Sequence, residues 1–332
     1  MTGSGPIGRG KTVVAKVLVS GALLAIVLYF VDLSSVGNTI ARADIATLAL
    51  ALGLSFVQML LASVRWYLVA RATGPFPALW PTVRMSFAGL FSNQILPTSL
   101  GGDVIRIGLA HRLGVPIGRA TSTVVLDRTA GLLSLLTLLG VTGFVLSNRL
   151  PADWSVGWVR IVPLLAVAVI LLALLAGERV LGWINRWTIF GLVVQILRDS
   201  NALLRTGDVA ILILMMSYAI HAAGAASIWV IAGAFGLELS YLEVLGFLPI
   251  VILVVLTPVS IAGWGVREGV IVTLLSLHGI GAAPALAVSV VWGATIAISA
   301  SIAGLIWFIT RSGDETLLDH DDADRRSGAQ AP

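Results

Sequence analysis

The chain has 332 residues, of which 58% are hydrophobic and only 11% are charged, and its formal net charge is +4. Soluble domains carry about a quarter charged residues, so this composition excludes an ordinary soluble enzyme and predicts an integral membrane protein. The absence of cysteine excludes disulfides, thiolate chemistry and cysteine-based metal sites. The excess positive charge comes mostly from arginine, and in a membrane protein it indicates topology and lipid contact, with no nucleic-acid partner.

The amino-terminal part predicts a tail followed by a first span. Residues 1–12 are glycine-rich and predict a flexible cytoplasmic tail. The apolar run 13–31 is interpreted as an uncleaved transmembrane helix. A cleaved signal peptide is the alternative, but the segment 41–43 that resembles a cleavage site lies about ten residues beyond the apolar run, which is too far.

Further apolar runs follow, and two of them are shorter than the ~20 residues needed to cross a bilayer. Arg65-Trp66-Tyr67 ends the second span and is typical of an interfacial anchor. His221 lies within a later span, where it is either a packed neutral side chain with a backbone partner or a proton relay. The predicted full spans are 45–64, 121–146, 158–176, 209–235 and 284–309, the short runs are 83–96 and 242–256, and an amphipathic surface helix is predicted within 178–208.

Each short run ends in a break that a helix cannot cross smoothly, because proline removes a helical hydrogen bond and glycine is a poor helix former. Backbone groups freed at membrane depth need protein or water as partners, so both breaks predict re-entrant elements that face a polar cavity. The breaking residues are Pro97, Ser99, Gly101 and Gly102 after the first run, and Pro258, Ser260, Gly263 and Gly265 after the second.

The two breaks resemble each other. Residues 96–102 align with 257–263, with the proline, the serine and the last glycine identical. If neither short run crosses, sixteen lysines and arginines fall on the cytoplasmic side and three outside. That bias predicts cytoplasmic termini, and it predicts breaks that enter from opposite sides of the membrane. The halves 13–150 and 151–310 would then form an inverted repeat, as in many transporters.

Three segments taken together resemble the transmembrane region of the lysylphosphatidylglycerol synthase family, also called the flippase-like family. They are 93–106, 126–132 with Asp127-Arg128, and 258–269 with Arg267-Glu268. The family more often has Glu-Arg in the second segment, so Asp127 shortens the acid and keeps its charge. The resemblance implies a lipid-translocating membrane domain at 13–310 without the aminoacyltransferase domain of the two-part synthases, followed by a disordered cytoplasmic tail at 311–332.

Seven residues are candidates for binding a lipid headgroup. Arg106 and Arg267 are predicted to contact phosphate, because a planar guanidinium suits bidentate phosphate binding. Asp103 shares a helix face with Arg106 at a spacing of three. The alternative for each charge is a structural ion pair, and Asn93 either caps freed backbone groups or lines the cavity. The full set is Asn93, Asp103, Arg106, Asp127, Arg128, Arg267 and Glu268.

The sequence therefore predicts an all-α polytopic membrane protein with about six full transmembrane helices and two re-entrant, broken helical elements. We expect a translocase of the cell (inner) membrane that handles a phospholipid or polyprenyl-phosphate lipid. Membrane lipids are the expected partners. The alternative is a non-transporting partner of a separate lipid-modifying or glycosyltransferase enzyme. No catalytic constellation, metal cluster or nucleotide loop is present in the sequence, so we expect no enzymatic activity and no cofactor. An enzyme that acts on lipid-linked substrates through its intramembrane carboxylates is the third alternative.

Overall fold

The structure, a computed structural model, describes residues 33–41, 43–96, 101–147, 156–175, 191–257, 260 and 262–310. Within these ranges it is entirely helical, with eleven helices and no strand. In chain order the helices are α1 (Leu33–Ala41), α2 (Ile45–Thr73), α3 (Leu79–Ile95), α4 (Gly101–Arg112), α5 (Ile117–Ser147), α6 (Val156–Leu175), α7 (Gly191–Arg205), α8 (Asp208–Ala234), α9 (Tyr241–Val255), α10 (Val266–Ser276) and α11 (Ala282–Thr310).

Four of these helices, α2, α5, α8 and α11, are long and apolar enough to cross a membrane. Shorter apolar helices lie at Ile161–Leu175 within α6 and at α9. Large apolar side chains stay exposed on the outside of the bundle, among them Ile211 and Leu305. A bilayer is the solvent that such a surface requires. The predicted first span at 13–31 and both predicted tails, 1–12 and 311–332, lie outside the described residues.

Polar caps set where the helices begin. The Asp44 carboxylate accepts a hydrogen bond from the Thr47 amide at 3.1 Å and opens α2. Hydrogen bonds from the Thr47 side chain, and then from the backbone, lower the pKa of Asp44 below its usual value. Ser240 and Glu243 form a reciprocal capping box at the start of α9. Each cap satisfies amide donors that the first turn of a helix leaves unpaired.

The interfacial anchor predicted at Arg65-Trp66-Tyr67 is wrong. The α2 helix does not end there but continues to Thr73. Arg65 is 7% exposed, and Trp66 is fully buried. Hydropathy falls at Arg65, but the arginine lies inside the bundle because neighbouring helices supply partners for its charge.

Both predicted breaks are present as gaps between helices. The first lies between the end of α3 at Ile95 and the start of α4 at Gly101. The second lies between Val255 of α9 and Val266 of α10. Gly263 and Gly265 there have φ of +79° and +85°, a left-handed conformation that favours glycine. The predicted breaking residues Pro97, Ser99 and Pro258 fall outside the described residues.

Apolar side chains and helix–helix contacts hold the bundle together. The largest apolar core joins α8, α9, α10 and α11, with Ile228, Phe247 and Ile271 fully buried. The helix α3 packs between α4 and α11, and α2 runs beside α8.

The amphipathic helix predicted within 178–208 is observed as α7, but α7 also packs against α2 and α5 and buries Asp199 and Ser200.

Candidate functional site

The first break brings α3 and α4 into backbone contact. A Cβ added to Gly102 of α4 would collide with the Gly89 carbonyl oxygen of α3. The Asn93 side-chain oxygen accepts a hydrogen bond from the Gly102 amide at 2.8 Å. Asn93 therefore caps a freed backbone group, which is one of the two alternatives that the sequence left open, and it also lines a small polar cavity. This close approach places the first turns of α4 deep against α3, so that Asp103 and Arg106 are buried.

Five charged residues from three helices meet beside this contact, and we call them the charged cluster: Arg65 of α2, Asp103 and Arg106 of α4, and Asp127 and Arg128 of α5. Asp127 accepts from Arg65 Nε at 2.9 Å and from Arg106 Nη2 at 3.1 Å. Asp103 accepts from Arg128 Nε and Nη2, both at 3.0 Å, and from Arg106 Nη1 at 3.4 Å. Asp127 and Arg128 thus bind different partners, because adjacent residues point in different directions on a helix.

Burial divides the arginines of the charged cluster into two kinds. The Arg106 guanidinium lies 4.1 Å from the ring centroid of Trp66, and its side chain is 11% exposed. The Arg65 side chain is 9% exposed. The Arg128 side chain is 42% exposed while still holding Asp103. Arg128 is therefore the most accessible guanidinium of the charged cluster.

A small polar cavity adjoins the charged cluster. Its volume is about 80 Å³, enough for water molecules. Three arginines against two aspartates leave the charged cluster with one excess positive charge. The site therefore favours an anion. The cavity is lined by the five residues of the charged cluster together with Ala62, Ser63, Ser86, Gly89, Leu90 and Asn93.

A buried ion pair lies just after the second break, in the first turn of α10. Arg267 donates to Glu268 Oε1 through Nε at 3.0 Å and through Nη2 at 2.6 Å. Glu268 Oε2 accepts from the Gly265 amide at 2.6 Å, and Ser289 donates to Oε1 at 3.3 Å. Glu268 is fully buried and Arg267 is 5% exposed. The pair is neutral as a whole and packs against α11, where a Cβ at Gly293 would collide with the Arg267 guanidinium.

The structure does not bring the charges of the two breaks together. Arg267 packs on α11 at Gly293, whereas Phe91 of α3, two residues from the Gly89 contact, packs on α11 at Gly304. Eleven residues of helix separate these levels by about 16 Å. The cavity beside the charged cluster is lined by residues of α2, α3, α4 and α5 alone. Two polar sites, rather than one, thus lie at different levels of the bundle.

Comparison with known proteins places this chain in a family. The family model described as the lysylphosphatidylglycerol synthase transmembrane region matches residues 13–304, nearly the whole chain. The chain belongs to this family. It is a membrane protein of the same class as two relatives, each named a UPF0104 membrane protein, from Methanothermobacter thermautotrophicus. One is 24% identical over 330 residues, covering 89% of this chain and 92% of the relative. The other is 22% identical over 314 residues, covering 83% and 88%.

Two residues of this family member's polar site, Arg65 and Trp66, are not predicted from the sequence. Both were assigned to an interfacial anchor, but Arg65 holds Asp127 and Trp66 lies against Arg106. A signal was present in the sequence. Ser55, Gln58 and Arg65 recur at helical spacing within the second span, and a polar stripe in a span indicates a face turned towards protein.

Proposed function

We propose that this chain is a lipid translocase that binds a phosphate-bearing headgroup at the charged cluster while the lipid tails stay in the bilayer. The observation that carries the proposal is the partly exposed Arg128 at a polar cavity with excess positive charge, inside a bundle of membrane-crossing helices. A buried charge at membrane depth costs roughly 3 kcal/mol or more, and such charges usually mark a binding or transport site. An anionic phosphate matches the excess charge of the charged cluster.

Headgroup entry would exchange one partner of Arg128 for another. Asp103 now occupies two donors of Arg128, and a phosphate offers the same planar, bidentate acceptor geometry. When the phosphate takes those donors, Asp103 keeps Arg106 as its partner. The released carboxylate is also placed to meet a cationic group on the headgroup. This exchange favours Arg128 over the buried Arg106 as the first contact.

The transport cycle would use both breaks. The sequence predicts that they enter from opposite sides of the cell membrane, as an inverted pair in a bundle of six spans with cytoplasmic termini. The Arg267–Glu268 pair, about 16 Å away along α11, would then act as the opposite gate. Motion between the two halves would expose each polar site in turn, as in other transporters built from inverted repeats.

The proposal is tested by lipid flipping in vesicles that contain the purified protein. A fluorescent phosphatidylglycerol reports flipping through its protection from a reducing quencher added outside. We expect Arg128→Gln to slow flipping about tenfold or more, because a charge-assisted contact contributes about 1.5–3 kcal/mol. Arg112→Gln, the same change at an exposed position of α4, should keep the wild-type rate.

Equal flipping by the wild-type and Arg128→Gln proteins would contradict the headgroup contact assigned to Arg128. No flipping by the wild-type protein, combined with co-purification of a lipid-modifying or glycosyl-transferring enzyme, would contradict the translocase itself. The second result would favour the alternative, in which the chain is a non-enzymatic membrane partner of such an enzyme.

A further inference from the structure

A line of polar side chains connects the charged cluster to the middle of the bundle, and we call it the polar seam. It consists of Ser55, Gln58 and Arg65 on α2 and Ser217, His221 and Ser227 on α8. The helices pair antiparallel along it. Arg65 Nη1 donates to Ser217 Oγ at 3.0 Å, and the hydroxyls of Ser55 and Ser227 are 3.3 Å apart. Ten residues of α2 separate these two contacts, which is about 15 Å.

The polar seam is too tight to carry a headgroup. Between its ends, a Cβ at Gly224 would lie 3.0 Å from the Gln58 side-chain nitrogen. Ser55 also contacts the Thr295 hydroxyl of α11 at 3.0 Å. Direct contacts of this length leave no passage for a lipid headgroup between the helices.

His221 is the one titratable side chain of the polar seam besides Arg65, and only one of its two ring nitrogens has a hydrogen-bond partner among the described residues. Its Nε2 lies 3.2 Å from the Gly131 carbonyl oxygen of α5. A carbonyl only accepts hydrogen bonds, so Nε2 carries the hydrogen and Nδ1 carries a lone pair. Nδ1 is buried and has no hydrogen-bond partner among the described residues. His221 as a whole is 7% exposed. A lone pair so placed can accept one proton.

A proton on His221 would act directly on the charged cluster. Gly131, which accepts from His221, also faces Arg65, because a Cβ there would lie 3.2 Å from Arg65 Nη1. Arg65 in turn holds Asp127, a wall of the cavity. An imidazolium would therefore add a second positive charge beside a guanidinium that is already paired. That arrangement is unfavourable until negative charge enters the cavity.

The other helices packed against α8 bring few charges to His221. The helix α5 brings its Gly131 carbonyl and, through Arg65, the carboxylate of Asp127. From α9, the Tyr241 hydroxyl donates to the Ala222 carbonyl oxygen at 3.0 Å. On α11 the polar group at the seam is the Thr295 hydroxyl. The helix α7 meets α8 near Ala210–Leu214, and its Asp199 accepts from Gln195 of its own helix.

We propose that His221 is a proton-binding site linked to the headgroup site, so that an anionic lipid phosphate and one proton bind together. The inference rests on the proposed function, since the phosphate is the ligand of the charged cluster. The Nδ1 lone pair takes a proton from a hydronium ion of the solvent, which becomes water, and the new N–H bond gives an imidazolium. With the phosphate bound, the charged cluster and the imidazolium together carry one excess positive charge rather than two. When the lipid leaves, the proton leaves Nδ1 and returns to water.

Linkage makes the two events reciprocal: the phosphate favours the proton and the proton favours the phosphate by the same factor. A proton that travels with the lipid would couple transport to a proton gradient. A purely structural histidine would bind no proton and would leave lipid binding independent of pH.

Calorimetry of dioctanoyl phosphatidylglycerol binding to the full-length protein in detergent micelles tests the linkage. The phosphodiester keeps one negative charge between pH 5 and pH 8, so the ligand itself takes up no proton. Repeating the titration in buffers of different ionisation enthalpy counts the protons taken up. We expect wild-type affinity to rise at least about fivefold from pH 8 to pH 5, the low end of ordinary coupling between sites, with net proton uptake.

Two variants complete the test. His221→Gln keeps an N–H donor for Gly131 but cannot bind a proton, so it should bind the lipid with no uptake and with little pH dependence. His278→Gln changes another histidine with a buried side chain, 3.8 Å from Glu243 and away from the polar seam, and should behave as the wild type.

Lipid binding by the wild type without proton uptake would overturn the linkage while leaving the proposed function intact, and this result needs no variant. Unchanged uptake in His221→Gln, or lost uptake in His278→Gln, would also overturn it. No lipid binding by the wild type at any pH would instead remove the proposed function, and the linkage with it.

Discussion

At the scale of single residues, the charged cluster divides its arginines between structure and access. Arg106 lies between two aspartates and over the Trp66 ring, and is almost fully buried. Arg128 binds only Asp103 among the described residues of the charged cluster and is partly exposed. A buried ion becomes costly when its partner is removed, because a charge is then left unpaired away from water.

This division predicts different outcomes for the same substitution. Arg106→Gln should destabilise the protein by about 3–5 kcal/mol, because it leaves Asp127 and Asp103 with one fewer positive partner. Arg128→Gln should cost about 1 kcal/mol or less, since the arginine is partly exposed and Asp103 keeps Arg106. Thermal unfolding in detergent measures both. Equal losses of stability would contradict the assignment of Arg106 to structure and Arg128 to access.

Residue identities could be predicted from the sequence better than residue partners. Asp103, Arg106, Asp127 and Arg128 were all candidates, and the structure gathers them in one site. Arg65 was missed because its place beside Trp66 and Tyr67 matched an interfacial anchor. Its partner, the Asp127 carboxylate, is brought to it by tertiary packing, which the sequence does not reveal. Arg267 and Glu268 were candidates for the same headgroup site, but the structure places them at a second and separate site.

At the scale of helices, the first break is held by the close approach of two glycines. Gly89 of α3 and Gly102 of α4 leave no room for a side chain between them, and a Cβ at Gly89 would lie 2.8 Å from the Gly102 carbonyl oxygen. This contact sets the depth of α4, and so it sets the positions of Asp103 and Arg106. The sequence predicted the break but not this contact, because helix-breaking propensity says nothing about which backbone lies opposite.

A pair of alanine substitutions within α4 separates this packing from helix propensity. Gly102→Ala should destabilise the protein by about 3 kcal/mol, because the Cβ collides with the backbone of α3. Gly108→Ala is the control, since nothing lies within 4 Å of its Cβ position. It should be neutral or stabilising by up to about 1 kcal/mol. Similar stability of the two variants in thermal unfolding would show that the glycine contact is not needed.

The positions of the long apolar helices were the most predictable feature of the fold. The predicted runs 121–146, 209–235 and 284–309 are observed as the cores of α5, α8 and α11, because long apolar runs have few other ways to satisfy their backbone in a membrane. Helix ends were less predictable. The α2 helix extends nine residues beyond the predicted 45–64 because its last turns are covered by protein rather than by water.

At the scale of the whole molecule, the account depends on two polar sites at different levels and on breaks that open to opposite sides. The topology predicted from the arginine distribution can be checked directly, because the chain has no cysteine of its own. Single cysteines at the two breaks, Ser99→Cys and Ser260→Cys, should react with a membrane-impermeant maleimide from opposite sides of the membrane. Labelling of both from the same side would contradict the inverted pair.

The central claim is that the charged cluster binds a phosphate-bearing lipid, and the lipids that remain on the protein after mild purification test it most directly. Mass spectrometry of the wild-type protein should show one phosphate-bearing lipid class enriched over the source membrane. The enrichment should be lost in Arg128→Gln and kept in Arg112→Gln. A lipid composition equal to that of the membrane, or an enrichment that survives Arg128→Gln, would contradict the account.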